Sequence, residues 1–339
     1  MKDLQRKYDF IVIGAGMAGL SCASSLAKNG IKNVLIIESI NVAHDKSSSF
    51  GDSRMFREMY SDTKLCLLSK FANKLWREEE FLSQRKLLNH HGLLFYGESW
   101  GEETIEGSIS GAKKVMNEQK IPYEELNSKE ILEKFPIIPR DHFTGLFEPM
   151  AGSINCNEAI EIWLGLALNN GHTLIENRKV IDINTTDGFV KLDDETVVFT
   201  DQIILTAGMW TNDFLEKEGI KIKLKAWPML WGHYEVEQKY ADNYPQWFCF
   251  QKSNGIDGGL YYGFPVLTKS KEGNPLIKVG LDWTLPEMIL DNPEEFPENV
   301  PEILLEHLDN FVYKNIKGII KRNDYSLSPY SMTRDVNFI

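Results

Sequence analysis

An α/β protein with two interleaved domains is what this sequence predicts, and three observations predict it. The chain opens on a strand, a glycine-rich turn, a helix and a second strand. Residues 221–281 are instead aromatic and strand-rich, with Trp227, Trp231, Tyr234, Trp247, Phe248, Phe250, Tyr261, Tyr262 and Phe264. No repeat, low-complexity tract or long linker divides the two kinds of sequence, so the domains interleave rather than follow one another.

The opening unit runs Tyr8-Asp-Phe-Ile-Val-Ile-Gly-Ala-Gly-Met-Ala-Gly-Leu20. Gly14 permits the tight turn, Gly16 lets backbone approach a pyrophosphate, and Gly19 lets helix pack on strand. The phosphates sit where unpaired N–H groups and the helix dipole favour an anion, beside the backbone of Gly14, Ala15, Gly16, Met17, Ala18 and Gly19. A second strand, Asn33-Val-Leu-Ile-Ile37, ends at Glu38, 19 residues past Gly19. An acid at that spacing accepts hydrogen bonds from an adenosine ribose. A glycine pattern alone is weak, but strand, glycines, helix, strand and acid in this order define a Rossmann-like dinucleotide site.

With 339 residues the chain is long enough for about two domains of ~150 residues each. Its net charge of −12 excludes nonspecific nucleic-acid binding, which depends on Lys and Arg neutralising phosphates. It does not exclude a small anionic substrate, because a local pair of arginines overrides the global sign. The cysteines Cys22, Cys66, Cys156 and Cys249 are scattered, with no CxxC or Cys/His cluster, so neither a zinc site nor a disulfide framework is expected. The polar start leaves no room for a signal peptide, and no apolar run reaches the ~20 residues that span a bilayer. A cytoplasmic protein is expected.

After Glu38 the serine-rich segment Asp45-Lys-Ser-Ser-Ser-Phe-Gly-Asp-Ser-Arg54 reads as a loop. Residues 63–85 read as a helix, with Leu65, Leu68, Phe71, Leu75 and Trp76 at helical spacing and expected to face the core. His90 and His91 precede the strand Gly92-Leu-Leu-Phe-Tyr96, and the pair reads as a turn. Residues 108–135 alternate helical and polar stretches, Thr144-Gly-Leu-Phe-Glu-Pro149 is a strand, and residues 157–169 form a helix. Asp201-Gln-Ile-Ile-Leu-Thr-Ala-Gly-Met-Trp210 reads as a buried parallel strand stopped by Ala207-Gly208. Residues 301–313 form a last helix.

At Gly51-Asp-Ser-Arg54-Met-Phe-Arg57-Glu-Met-Tyr60 the chain begins to resemble a known group. It is similar to the monomeric sarcosine oxidase and N-methyltryptophan oxidase family, within the D-amino-acid-oxidase-like flavoproteins. The likeness recurs in Phe147-Glu-Pro149, Thr206-Ala-Gly-Met-Trp210, Leu260-Tyr-Tyr-Gly-Phe-Pro265, Ile277-Lys-Val-Gly280 and Tyr330-Ser-Met-Thr-Arg-Asp335. It implies FAD held by the glycine turn and Glu38, with Ser48, Gly208 and the backbone around Val180 also contributing. Residues 1–91, 157–226 and 330–339 would then belong to the FAD-binding domain, and 92–156 and 227–329 to the substrate domain. The implied activity is oxidation of a secondary amine or N-methyl amino acid by flavin, followed by reduction of oxygen to hydrogen peroxide. A small-molecule amine and oxygen are the implied partners, and a monomer is the implied state.

By the same resemblance Arg54 lies close to the flavin ring, and Arg57 grips a substrate carboxylate through a two-pronged guanidinium. A salt bridge from Arg57 to a neighbour such as Asp52 or Glu58 is the plainer alternative. Lys278 corresponds to the lysine that activates oxygen, a strand lysine touching solvent being the other reading. Tyr262 and Tyr330 correspond to tyrosines lining the substrate cavity, although either could be a core tyrosine.

Three departures bear on the chemistry. Ser328 stands where the family attaches flavin to a cysteine, so the FAD is expected to be noncovalent. Asp282 and Phe50 replace family histidines, and a carboxylate at Asp282 welcomes a cationic amine. Finally, the family continues for several dozen residues past the position of Ile339, which suggests a fragment or an inactive truncated form. The alternatives to an oxidase are therefore a flavin dehydrogenase using another acceptor and a degenerate FAD-binding protein without turnover. A nicotinamide dehydrogenase is weaker, because Arg54 and Lys278 would have no role in it.

Overall fold

The computed structural model describes residues 4–51, 53–98, 104–220, 222–253, 255 and 258–336. Two large sheets dominate it, with a small three-stranded sheet between their sequences. The six-stranded sheet runs, in spatial order, Val180–Asn184, Phe189–Leu192, Val197–Leu205, Lys7–Ile13, Val34–Ile37 and Thr173–Ile175. Its last four strands are parallel, and the first two form an antiparallel extension. The apolar runs of Lys7–Ile13 and Val34–Ile37 follow from this placement, because helices cover a parallel sheet and both faces are buried. The helix Met17–Lys28 packs with Cys156–Asn169 through Leu20, Ala23, Ala159, Ile160 and Ala167.

The eight-stranded sheet runs Ile319–Met332, Lys225–Val236, Pro275–Leu281, Leu260–Lys269, Gln246–Phe250, Leu93–Gly97, Thr144–Glu148 and Glu124–Asn127. Only Gln246–Phe250 against Leu93–Gly97 is parallel. One sheet thus draws on residues 7–37 and 173–205, and the other on 93–148 and 225–332. Residues 330–332, where a last FAD-binding segment was expected to open, complete the edge strand of the eight-stranded sheet.

Alternation along these strands sorts their side chains into two layers. Leu230, Tyr234, Trp247, Tyr261, Ile277, Val279 and Leu281 pack on one face against the helix Glu302–Asn315, through Leu304, Leu308, Phe311 and Val312. Phe95, Phe248, Phe250, Tyr262 and Phe264 point the other way and meet the helix Ile109–Gln119. Among the described residues no helix is long and apolar enough to cross a membrane.

The helix Thr63–Ser83 departs from expectation. Leu68, Phe71 and Leu75 are 58%, 59% and 48% exposed, while Cys66, Asn73 and Glu79 are buried. The helical period was read correctly, but the buried stripe lies elsewhere on the helix. Its polar members have partners in the fold: Asn73 Nδ2 donates to Glu58 at 3.1 Å, and Glu79 pairs with Lys28. Trp76 alone of the aromatic stripe packs inward, tilted against Trp163 at 5.2 Å. Replacing Phe71 with Ser is therefore expected to change stability by no more than about 0.5 kcal/mol. An unfolding free energy from chemical denaturation lowered by several times that amount would show that Phe71 is buried.

Candidate active site

The phosphate cradle is built by close backbone approach. Gly14 turns at φ +99°, and a Cβ there would meet the Thr206 carbonyl; a Cβ on Gly19 would collide with the Gly14 carbonyl oxygen. Thr206 secures the turn from the neighbouring strand. Its N–H donates to the Ile13 carbonyl at 2.9 Å, and its hydroxyl lies 2.8 Å from that oxygen and 3.0 Å from the Gly14 oxygen. The helix that follows has Gly16 at its N-cap, no side-chain cap from that residue and no acid in its first turn. It therefore presents N–H groups and a positive dipole end suited to an anion. The Met17 N–H meets the Ser49 hydroxyl at 3.0 Å.

Glu38 is buried beside this turn. One carboxylate oxygen accepts the Ala15 N–H at 2.9 Å, and the other accepts the Ile40 N–H and the Ser39 hydroxyl, each at 3.1 Å. These donors orient the carboxylate and leave lone-pair capacity for a ribose hydroxyl. Val180 packs with Ile13 and Ile37, the residues that lead into Gly14 and Glu38. Gly208, at φ +57°, opens a short 3₁₀ turn two residues after Thr206, with open space where a side chain would stand. Glycine turn, Glu38, Val180 and Gly208 thus lie around one end of the six-stranded sheet, and the donor set fits an adenine dinucleotide.

The second half of the site lies on one face of the eight-stranded sheet. Register pairs Tyr262 with Gly280, Phe264 with Lys278, Trp231 with Gly280 and Trp227 with Tyr330. Because parity alternates, Lys278, Gly280 and Asp282 share a face with Tyr262, Trp231, Ser328 and Tyr330. Gly280 is needed there, since a Cβ on it would run into the Tyr262 ring. The Tyr262 and Tyr330 hydroxyls share a hydrogen bond, and burial pushes both phenols up. Lys278 Nζ stands 4.3 Å from the Trp231 ring centroid and 5.9 Å from that of Phe264. Trp231 in turn donates its indole N–H to the Ser328 hydroxyl at 2.9 Å.

One hydrogen bond joins the halves, and Arg54 braces the loop that makes it. The Ser48 hydroxyl donates to the Pro329 carbonyl at 2.7 Å, and Arg54 donates to the carbonyls of Ser48 and Phe50, the latter at 2.8 Å. Arg54 also acts electrostatically on Tyr262 and Tyr330. Phe50, at the place of a family histidine, is half exposed.

Arg57 is only 8% exposed and lies among aromatic rings, 4.4 Å from the Tyr60 centroid, 5.1 Å from Phe248 and 5.4 Å from Phe95. It is ion-paired, with Glu106, an acid that sequence reasoning did not single out. Glu58, one of the two neighbours considered as a partner, instead takes the Asn73 amide, and Asp52 lies outside the described residues. Asp282 is 4% exposed, and one of its oxygens has no hydrogen-bond partner among the described residues. Burial and the nearby Glu106 raise its carboxyl well above the ordinary range, against the pull of Arg57.

Beneath the clamp sits Glu148. Its oxygens accept the Glu58 N–H at 3.0 and 3.2 Å and the Met59 N–H at 3.0 Å, which pins the backbone on which Arg57 is carried. Glu106 left no signal in the sequence, being one acid in a polar turn. Glu148, Thr206 and Trp231 lie in motifs or aromatic runs that the sequence shows, but their roles depend on partners distant in the chain.

Residues 9–313 match the family model DAO, FAD dependent oxidoreductase. The chain belongs to this family. Among curated relatives of this oxidoreductase, a monomeric sarcosine oxidase of Bacillus sp. (strain NS-129) is 26% identical over 264 residues, 76% of this chain and 66% of the relative. An N-methyl-L-tryptophan oxidase of Yersinia pestis (strain Pestoides F) is 28% identical over 273 residues, 76% of this chain and 67% of that protein. The chain therefore spans about two thirds of the length of the curated relatives it matches. Among solved structures, the open form of NikD, an unusual amino acid oxidase essential for nikkomycin biosynthesis, superposes with a TM-score of 0.86 at 25% identity. That match takes in 97% of this chain and 82% of NikD.

Burial outweighs the hydrogen bonds at Glu148 and lifts its carboxyl from 4.5 to about 7. A raised carboxyl favours the protonated folded state, so this contribution is fully present below about pH 4.5 and is lost as pH rises through about 7. The difference is on the order of 3 kcal/mol. Glu148→Gln is expected to flatten the decline in stability between those two pH values. An unaltered pH slope in the variant would assign that decline to other groups.

Proposed function

We propose that this family member is a FAD-dependent oxidase of a secondary amine or N-methyl amino acid. The observation that carries the reading is the shared sheet face, which sets Lys278, Asp282, Tyr262 and Tyr330 together beside the buried Arg57. FAD bound at the glycine turn supplies the redox step, accepting a hydride equivalent from the carbon next to nitrogen and passing electrons to oxygen to give hydrogen peroxide. The protein's own groups bind and orient. Gly14, Ala15, Gly16, Met17, Ala18 and Gly19 offer backbone to the pyrophosphate, Glu38 takes the ribose, and Arg54 holds the Ser48–Phe50 loop against the flavin side of the site. Arg57 anchors a carboxylate, Asp282 receives an ammonium, and the rings of Tyr262 and Tyr330 wall an N-alkyl group.

Lys278 serves oxygen. A fixed cation on the face of Trp231 stabilises the negative charge that electron transfer to oxygen creates. Lys278→Met is accordingly expected to slow reoxidation of reduced flavin by roughly 10²-fold or more, while reduction by amine changes little. Stopped-flow measurement of both half-reactions decides, and equal slowing of the two would remove the assignment. Peroxide formed in air separates an oxidase from a dehydrogenase, which would reduce a dye and form little peroxide.

The FAD is held without a covalent bond. Ser328 offers a hydroxyl, already engaged by Trp231, where a thioether would need a thiol. Acid precipitation of the yellow protein is expected to leave the flavin in the supernatant, and colour retained in the pellet would refute this. Anaerobic mixing with a panel of N-methyl amino acids and secondary amines tests the activity itself: bleaching of the flavin is the expected result, and flavin that no amine bleaches would favour a protein without turnover.

A further inference from the structure

The charged cluster at the clamp holds one cation and two carboxylates, Arg57 with Glu106 and Asp282. Two of its buried atoms have no hydrogen-bond partner among the described residues, the Arg57 Nε and one Asp282 oxygen. One is a donor on a cation and the other an acceptor on an acid, so the unmet demand is for a ligand carrying both an anionic acceptor and a cationic donor. A zwitterionic amino acid has both. Arg57, however, already carries a carboxylate, that of Glu106.

The three groups differ in how they are held. Arg57 is wedged among the rings of Tyr60, Phe95 and Phe248, on backbone pinned by Glu148. Asp282 follows directly on the strand Pro275–Leu281, its N–H donating to the Leu260 carbonyl at 3.0 Å. Glu106 lies on a small turn instead. Thr104 and Gly107 close it by exchanging backbone hydrogen bonds of 2.9 and 2.8 Å, and the Thr104 hydroxyl takes the Glu106 N–H at 3.2 Å. The Glu106 side chain is 22% exposed, against 8% for that of its partner. It can rotate into water without disturbing the sheet, and a charged group that reaches solvent avoids the cost of an unpaired buried charge.

We propose that Glu106 is an internal stand-in for the substrate carboxylate: it neutralises Arg57 in the empty site and yields that place when a zwitterionic amine binds, whose ammonium pairs with Asp282. This rests on the amine-oxidase reading. Glu106 thereby sets specificity, because each carboxylate ligand must displace it, and a ligand binding a state that is only partly populated has its affinity reduced by that fraction. An amine without a carboxylate leaves the Arg57–Glu106 pair in place.

The test uses two minimal probes, acetate and methylammonium, on the FAD-loaded protein and its Glu106→Gln and Asp282→Asn variants. Binding is followed by isothermal titration calorimetry of the same FAD-loaded proteins, which needs no turnover. Glu106→Gln is expected to tighten acetate about tenfold and to change methylammonium by less than about threefold. Asp282→Asn is expected to weaken methylammonium and spare acetate. Acetate bound equally or more weakly by Glu106→Gln would overturn the proposal, as would equal tightening of both probes. Glu106→Asp, which keeps the charge and shortens its reach, is expected to give a smaller tightening of acetate; it decides by the same criterion if the Gln variant does not fold. Anaerobic flavin bleaching by amines is measured separately, so a failed oxidase reading and a failed counter-ion exchange give different results.

Discussion

The grip of Thr206 on the first glycine turn is the contact on which the arrangement rests. It ties the end of Val197–Leu205 to the end of Lys7–Ile13, two strands far apart in sequence. With Gly19 lying against the Gly14 carbonyl, it also fixes the direction in which the helix Met17–Lys28 leaves the sheet. A bulkier residue at either glycine would push the helix off its strand, and the N–H groups that suit a pyrophosphate would point elsewhere. The same crossing sets Glu38, Val180 and Gly208 around one end of the sheet.

The second constraint is parity. In an extended strand, residues two apart share a face, so Lys278, Gly280 and Asp282 lie on the same sheet face as Tyr262 and, two strands beyond Lys278, Tyr330. Aromatic residues of the opposite parity are absorbed by the helix Glu302–Asn315. Polar function and apolar support are thus separated by a single residue step, and a one-residue slip in register would exchange them. Loop contacts then close the site: Ser48 bonds to the Pro329 carbonyl, and Arg54 holds the same loop from the short strand Ser53–Phe56.

Charge is balanced within this frame rather than across the molecule. The net charge of −12 says nothing about a pocket in which one buried guanidinium faces two acids. Burying Arg57 without Glu106 would leave an unpaired charge, a strongly unfavourable state. Asp282, 4% exposed, is held toward its neutral form by burial and by the nearby Glu106, against the pull of Arg57.

The sequence by itself determined the opening β-turn-α-β unit, the acid that follows its second strand and the mixed α/β class, because glycine spacing and strand-to-acid distance are local geometry. Motif order along the chain also pointed to the flavoprotein family to which it belongs. Alternation in Lys278-Val-Gly280-Leu-Asp282 was legible for the same reason, since side-chain direction in a strand follows from position alone. Tertiary structure decided what pairs with what. The phase of the helix Thr63–Ser83 depends on Glu58, which accepts from Asn73, and Lys28, which donates to Glu79; Phe71 is left outside. The Arg57–Glu106 pair joins positions 49 residues apart, and the Glu148 bonds to the Glu58 and Met59 amides join positions about 90 apart. No local pattern encodes such contacts, because an ion pair or a pinned amide requires only that two chemically suited groups be brought within reach by the packing of everything between them.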